Sequence, residues 1–410
     1  MKFGCIGEKL GHSFSVEIHE KLGLYDYTLM PVPRDELHEF MTRRDFDGIN
    51  VTIPYKRDVI PYLAKISDEA KLCGAVNTIV KRDGALYGYN TDFAGMRDML
   101  AFGGIEIRGK NVLILGSGGT SGTAKKLCDA LGAARAESVS RGGKDGCITY
   151  EEAYGRRDTQ VIINATPCGM YPNAGTSPVD LSRFPCLCGV ADAVYNPQKT
   201  AFLMAAEALG IPCIGGLYML VSQALYAAQI WTGRTDLVSL APSIYEAVRS
   251  EKENVILIGM PGAGKSTLGK ALAAKLGREF LDSDAVIEAE EQKPIPQIFR
   301  EVEEKGFRDI ESRVIRSLSA LRGKVIATGG GAILRKENVE HLRSNGKILF
   351  LDAPLETLMP TGDRPLTATA SDLKKRYEER YDIYLASADA VIPVTRSVEE
   401  NLKKIEQVLQ

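Results

Sequence analysis

Val255-Ile-Leu-Ile258 runs directly into Gly259-Met-Pro-Gly262-Ala-Gly264-Lys265-Ser266-Thr267, and this stretch decides the fold of the second half of the chain. Four consecutive apolar residues read as a buried strand, and the pattern G-x-x-x-x-G-K-[ST] links that strand to a helix. Glycines let the backbone N–H groups of such a loop turn toward a phosphate, so Gly262, Gly264 and Thr267 belong to the cradle. Lys265 would neutralise the β and γ oxygens of a nucleoside triphosphate, and the Ser266 hydroxyl would ligate Mg²⁺. The loop therefore implies ATP.

Walker-type loops serve many activities, so the second substrate has to be read elsewhere. Phe280-Leu-Asp282-Ser-Asp284 places two carboxylates two residues apart, which predicts one shared side of an extended segment ending near the loop. Asp282 would reach Mg²⁺ through water, and Asp284 would orient an acceptor hydroxyl for in-line attack. Arg308 and Arg380 fall on predicted helices, where a pair of guanidiniums could fork onto the carboxylate of a small acid; surface ion pairing is the alternative for each. Gly329-Gly330-Gly331 follows an apolar strand, and three glycines let a flat ligand approach the backbone, where a tight turn would need one.

Toward the amino terminus, Val112-Leu-Ile-Leu115 leads into Gly116-Ser-Gly118-Gly119-Thr-Ser-Gly122, with a helix predicted over 123–131. Strand, glycine turn and helix stand in the order that holds a pyrophosphate, and Gly116, Gly118 and Gly119 are its candidates, although the last glycine falls one place later than in G-x-G-x-x-G. About 20 residues on, where a carboxylate would meet a ribose 2′-hydroxyl, the chain reads Ser138-Val-Ser140-Arg141-Gly142. An arginine there favours the 2′-phosphate of NADP, and Lys144 adds to the positive field. Two glycine loops of different spacing predict one nucleotide site per half without internal duplication. Short apolar runs alternating with helical periodicity predict an α/β fold with parallel sheets. The polar segment Ser250-Glu-Lys-Glu-Asn254 is the expected junction.

At 410 residues the chain exceeds one ordinary core, so two or three domains are expected. A formal charge of −2 excludes a broad electrostatic footprint for nucleic acid or an anionic membrane, which leaves small molecules as partners. The eight cysteines are irregularly spaced, and Cys186 with Cys188 is not a C-x-x-C pair, so reduced thiols and a cytoplasmic location are expected. No stretch approaches the ~18 apolar residues of a membrane span, and residues 1–7 are patterned like a core strand.

Residues 1 to about 250 resemble the shikimate dehydrogenase family. The resemblance rests on Gly11-His-Ser13-Phe-Ser15, Asn50-Val-Thr52-Ile-Pro54-Tyr-Lys56, Gly74-Ala-Val-Asn77-Thr78 and Asn90-Thr91-Asp92. Further on come Asn164-Ala-Thr166-Pro-Cys-Gly169-Met170, Asp192-Ala-Val-Tyr195-Asn-Pro197 and Gly215-Gly216-Leu-Tyr-Met219-Leu-Val-Ser-Gln223. It implies hydride transfer between NADPH and the ketone of 3-dehydroshikimate, in which the carbonyl oxygen gains charge and needs a proton. Lys56 is then the donor and Asp92 the group that orients it, with the N-cap of the following helix as a second role for Asp92. Ser13, Ser15, Thr52, Asn77 and Gln223, with Tyr195, suit a polyhydroxylated ring, while Thr166 and Met219 fall to the cofactor. The chain departs from the family pattern at Lys9-Leu10 and Val16, where proline is usual, and at Ser140 and Gly142 around Arg141.

Residues 254–410 resemble shikimate kinase through the D-x-D of Asp282 and Asp284, Phe307-Arg308-Asp-Ile-Glu311, the triple glycine, Arg364-Pro365-Leu366 and Arg380 with Tyr384. This implies that Asp284, Arg308, Gly330, Gly331 and Arg380 contact shikimate and that Arg364 closes over the ATP phosphates from a lid at 359–371. Glu303-Glu304 stands where Gly-Glu is usual, and the lid lacks an arginine upstream of Arg364. Together the resemblances predict a substrate-binding domain from 1–92 and 215–250, an NADP-binding Rossmann domain at 93–214, and a P-loop domain with a five-stranded parallel sheet at 251–410. The alcohol made by the first site is the phosphate acceptor of the second. The rivals are a quinate or polyol-acid dehydrogenase joined to another small-molecule kinase, and a quinate- or shikimate-sensing regulator without turnover. Intact Lys56, Asp92, Lys265, Ser266 and Asp284 speak against the regulator.

Overall fold

The computed structural model describes residues 2–11, 14–144, 146–358 and 370–409, with side chains from 373 onward in the last stretch. Ser13 and Arg364, with the lid around Arg364, lie outside the described residues. The chain divides into two compact units, Met1–Arg249 and Ser250–Gln410.

The first unit holds two sheets. One is built from β1 (Phe3–Gly7), β2 (Tyr27–Pro31), β3 (Gly48–Val51), β4 (Lys65–Ile66), β5 (Thr78–Arg82) and β6 (Ala85–Tyr89) in the order β2-β1-β3-β5-β6-β4. Here β1 runs parallel to β2 and β3, and β5 runs antiparallel to β3 and β6. The other contains β7 (Asn111–Leu115), β8 (Arg135–Val139), β9 (Val161–Asn164), β10 (Gly189–Asp192) and β11 (Cys213–Ile214), all parallel, in the order β11-β10-β9-β7-β8. Val112–Leu115 and Val161–Ile163 are almost wholly buried, as an apolar run must be when helices cover both faces of a parallel sheet. After β7 the chain builds β8 on one side and β9 on the other, so a crevice opens at the strand ends between β7 and β9, where such folds bind ligands.

Between the sheets, helices Thr91–Phe102 and Leu217–Thr232 lie against one another. Gly95 makes the approach possible: a Cβ there would stand 2.8 Å from Met219 O and 2.9 Å from Gln223 Cβ. This contact brings the ends of both helices to one place.

The second unit is a five-stranded parallel sheet of β12 (Asn254–Ile258), β13 (Phe280–Asp282), β14 (Val325–Ala327), β15 (Gly346–Asp352) and β16 (Ala390–Pro393), ordered β13-β14-β12-β15-β16. Val255–Ile258 forms its centre, and Tyr384 stacks on Phe350 at 5.0 Å beneath the glycine loop. The boundary between the units falls at the polar segment expected as the junction, but that segment is not a loop. Its first three residues complete helix Ala241–Lys252, and Asn254 opens β12 with its side chain bonded to Leu321 O and Lys324 N at 2.7 and 2.9 Å. Glu and Lys are good helix formers, and the buried amide of Asn254 is fully employed, so polarity here did not mean a loop. Among the described residues no helix is long and apolar enough to cross a membrane.

Candidate functional site

In the first unit a cavity of about 440 Å³ gathers residues that are far apart in sequence. Strand β3 and the turn after it supply Asn50, Thr52 and Lys56; helix Phe14–Leu22 supplies Ser15; helix Thr91–Phe102 supplies Asp92. Helix Leu217–Thr232 adds Met219 and Gln223, and the loop after β10 adds Tyr195. Asn77 lines it as well, so every dehydrogenase substrate residue named from the sequence reaches one cavity, except Ser13, which lies outside the described residues. Met219, assigned to the cofactor, stands here too.

Lys56 Nζ donates to Asp92 Oδ2 at 2.5 Å, with the two side chains 29% and 18% exposed. The helix N-cap is Asn90 rather than Asp92: Asn90 Oδ1 accepts from Phe93 N at 3.2 Å. Asp92 sits in the first turn, which leaves its carboxylate to the lysine. The surrounding amides are locked. Asn77 Oδ1 accepts from Thr91 N at 2.7 Å, Gln223 Nε2 donates to Leu220 O at 2.8 Å, and Asn50 Oδ1 accepts the Tyr27 hydroxyl at 2.7 Å. Asn50 was missed as a site residue, although strand alternation puts it on the same side as Thr52. Lys9 and Thr120 were missed too. Cys5 also lines the cavity, but burial pushes its thiol up to about 11, so it stays protonated.

Thr120 belongs to the glycine loop, so the nucleotide loop opens into the same cavity as Lys56. The helix there begins at Gly119 rather than at residue 123, because extended Gly118 serves as N-cap and the Ser121 hydroxyl bonds back to Gly116 O at 2.6 Å. The positive helix end is thereby built into the glycine loop itself. Gly116 N donates to Val139 O at 2.8 Å, which sets exposed Arg141, two residues beyond β8, at the rim of that loop. Thr166 directs its hydroxyl to Asn164 Oδ1 at 2.6 Å. Buried Asp192 ties this loop to the one bearing Tyr195, accepting from Asn164 Nδ2 (2.9 Å), Val194 N (3.0 Å) and Thr200 Oγ1 (2.7 Å). Burial pushes its carboxyl up to about 6.

In the second unit a cavity of about 410 Å³ has Gly262, Gly264 and Thr267 at the glycine loop and Val394, Thr395, Arg396 and Asn401 after β16. The latter group carries no sequence signal, because only the sheet order brings it beside the loop. Lys265 is buried and donates to Gly259 O and Met260 O at 2.8 and 3.0 Å. Ser266 Oγ donates to Asp282 Oδ2 at 2.6 Å. A hydroxyl and a carboxylate so close fit Mg²⁺, which takes few protein oxygens and completes its shell with phosphate and water. Asp282 and Asp284 do not share an extended segment. Asp282 ends β13 and caps helix Ser283–Glu291, its Oδ1 accepting from Asp284 N at 3.0 Å, so Asp284 rides on the first turn. A carboxylate beside two free N–H groups caps a helix more favourably than it continues a strand.

The helix start aims Asp284 at the triple glycine. A Cβ at Gly329 would collide with the carboxylates of Asp284 and Glu311, and one at Gly331 with the guanidinium of Arg308. Arg380 Nη1 donates to Gly330 O at 2.9 Å and the Tyr384 hydroxyl to the same oxygen at 2.7 Å. Arg308 and Arg380 are 8% and 5% exposed, which disposes of the surface-pair alternative. Glu311, quoted from the sequence but given no role, pairs with Arg308 Nη1 at 2.7 Å; burial raises its pKa against the pull of both arginines.

These features define two nucleotide-dependent α/β units: a dinucleotide-type fold with a polar substrate cavity, and a P-loop fold with a guanidinium-lined one. The shikimate dehydrogenase substrate-binding domain model matches residues 5–79 and the shikimate kinase model residues 261–410. A shikimate dehydrogenase (NADP(+)) of Clostridium perfringens is 38% identical over 267 residues, covering 60% of this chain and 98% of that one. Among solved structures, a chorismate mutase/shikimate 5-dehydrogenase fusion from Clostridium acetobutylicum is similar at 36% identity and TM-score 0.56, covering 60% of this chain and 96% of that one. The shikimate 5-dehydrogenase of Thermus thermophilus, in complex with NADP(H) and shikimate, follows at 29% and 0.55, covering 60% and 99%. The chain belongs to the shikimate dehydrogenase family and carries a shikimate kinase domain behind it. It is a bifunctional shikimate-pathway enzyme, an oxidoreductase joined to a phosphotransferase.

Proposed function

We propose that the first half reduces the ketone of 3-dehydroshikimate to shikimate with NADPH and that the second phosphorylates shikimate with ATP to shikimate 3-phosphate. The observation that carries the first step is the Lys56–Asp92 pair facing a cavity of mostly uncharged hydrogen-bonding groups. Bound NADPH supplies the hydride. Lys56 gives its proton to the oxygen on which charge develops, while Asp92 aims the ammonium. Ser15, Thr52, Asn77, Tyr195 and Gln223 hold the ring, with Ser13 assigned to it by resemblance. Gly116, Gly118, Gly119 and Arg141 hold the pyrophosphate and 2′-phosphate, with Thr166 and Met219 beside the nicotinamide end. The similarity to an NADP(+) enzyme and to a dehydrogenase in complex with NADP(H) and shikimate supports this choice.

For the second step, ATP with Mg²⁺ supplies the phosphoryl group. Arg308 and Arg380 take the acid's carboxylate, Gly330 and Gly331 meet the ring with their backbone while their missing Cβ atoms leave room for Pro261 and the Arg308 guanidinium, and Asp284 orients the attacking hydroxyl. Lys265 stabilises the transferring phosphoryl charge, Gly262, Gly264 and Thr267 cradle the phosphates, and Ser266 with Asp282 hold the metal. Arg364 is assigned to the phosphates by resemblance. Residues 1–92 with 215–250 form the substrate lobe, 93–214 the NADP lobe and 251–410 the kinase. The partners are small molecules rather than nucleic acid or membrane, and the enzyme works in the cytoplasm. Incubation with 3-dehydroshikimate, NADPH and ATP–Mg²⁺ should consume NADPH and yield a phosphorylated acid. Binding of both nucleotides without turnover of any candidate acid would instead favour a sensor.

A further inference from the structure

Helix Ile295–Ser319 is broken at Glu303, whose φ of 58° and ψ of −177° lie where glycine alone sits without strain. Such a conformation persists only where its surroundings hold it. The next residue, Glu304, has its carboxylate 3.3 Å from Nη2 of Arg308, while Nη1 of the same guanidinium is on buried Glu311 at 2.7 Å. Glu304 is 54% exposed and lines a second cavity of about 410 Å³ with Arg376 and Arg380.

We propose that Glu304 is a stand-in for the substrate carboxylate: it occupies the outward donor of Arg308 until an acid displaces it. This rests on the reading that Arg308 and Arg380 receive the acid. Glu311, 1% exposed at its side chain, cannot leave Arg308 without stranding buried charge, so the Nη1 edge is taken. Arg308 Nε is buried and has no hydrogen-bond partner among the described residues. Nη2 is the donor that a newcomer can capture, because its present partner holds it by a single 3.3 Å contact and is half in water. The arrangement selects by charge. A carboxylate can exchange with Glu304, whereas a neutral polyol would leave the guanidinium worse off than before, which is discrimination by a competing contact. The strained turn at Glu303 is what keeps Glu304 at the cavity rather than on the outer helix face.

The test uses the full chain with ATP–Mg²⁺, shikimate and no nicotinamide nucleotide, following ADP release, so the dehydrogenase half is silent. Glu304→Gln should lower the KM for shikimate about two- to fivefold, the range of a half-exposed ion pair, with the KM for ATP unchanged. Glu303→Gly, which relieves the strain and holds the same turn more firmly, should raise the thermal midpoint and move the KM for shikimate the other way, slightly up. An unchanged or increased KM for shikimate in Glu304→Gln overturns the stand-in. Arg380→Ala, run alongside, separates the two ideas: if it leaves the KM for shikimate unchanged, the acid does not bind here at all.

Discussion

At the first site Lys56 and Asp92 form a 2.5 Å pair among amides and hydroxyls, whereas at the second two buried guanidiniums, Arg308 and Arg380, sit with Asp284 and Glu311 around three glycines. The difference follows from what each reaction moves. Hydride addition creates one alkoxide that needs one proton, so a single lysine held by a carboxylate suffices as the donor. Phosphoryl transfer to an acid has to hold a permanent carboxylate beside a polyanionic nucleotide, and only fixed guanidiniums can do so without titrating. On the function proposed above, two closely related ring acids would be met mainly by hydroxyls and amides around one ion pair in the first cavity and by paired guanidiniums in the second.

The sharpest way to break this comparison is Lys56→Ala. It should cost on the order of 10²–10⁴ in NADPH-dependent turnover while nucleotide affinity and the kinase rate stay near normal, measured by steady-state kinetics of both half-reactions. Near-normal turnover would remove Lys56 from its role. Next, Arg380→Ala should raise the KM for the acid by at least about tenfold and the KM for ATP far less, since the lost contact is charge-assisted. Equal effects on both would count against a carboxylate site.

A third test concerns stability of the dehydrogenase half alone. His19 is fully buried, stacked on Tyr27 at 3.9 Å with Nδ1 2.8 Å from the Tyr25 hydroxyl, and burial lowers its pKa from 6.5 to about 3. Between those values the unfolded chain binds the proton first. His19 therefore contributes stability that is intact above pH 6.5 and lost on acidification, by up to about 1.4 kcal/mol per pH unit. Asp192 works in reverse. Its pKa is raised from 3.8 to about 6, so its contribution is present below pH 3.8 and lost as pH rises through 6. His19→Phe should flatten or invert the acid slope and Asp192→Asn should steepen it. Trp231, the one tryptophan of the chain, reports unfolding of this unit in denaturant titrations from pH 4.5 to 7. Slopes unaltered in both variants would exclude these groups. The smallest effect is expected for exposed Arg141→Ala: a KM for NADPH raised about two- to fivefold with that for NADH unmoved, as for one solvent-screened charge contact.

Much of both sites was legible because their chemistry is written in contiguous pieces: the loop at Gly259–Thr267, the segment Asn50–Lys56, the glycine triplet. What was not legible came from capping and from sheet order. Asp92 and Asp282 looked alike as carboxylates at element boundaries, yet Asn90 took the cap in one case and Asp282 took it in the other. Both outcomes depend on which backbone N–H groups the neighbouring fold leaves open. Asn50 could have been read from alternation; Thr395, Arg396 and Asn401 could not.

By itself the sequence determined two α/β units and two glycine loops and offered the candidate reacting groups, because strand, glycine turn and helix are local and their residues adjacent. Only the tertiary structure decided that Lys56 meets Asp92, that Gly95 brings Gln223 beside Thr91, and that Arg308 divides its guanidinium between Glu311 and Glu304. Those pairings span as many as 132 positions in the chain, a distance closed by packed helices and by β strands paired out of sequence order, which no local pattern encodes.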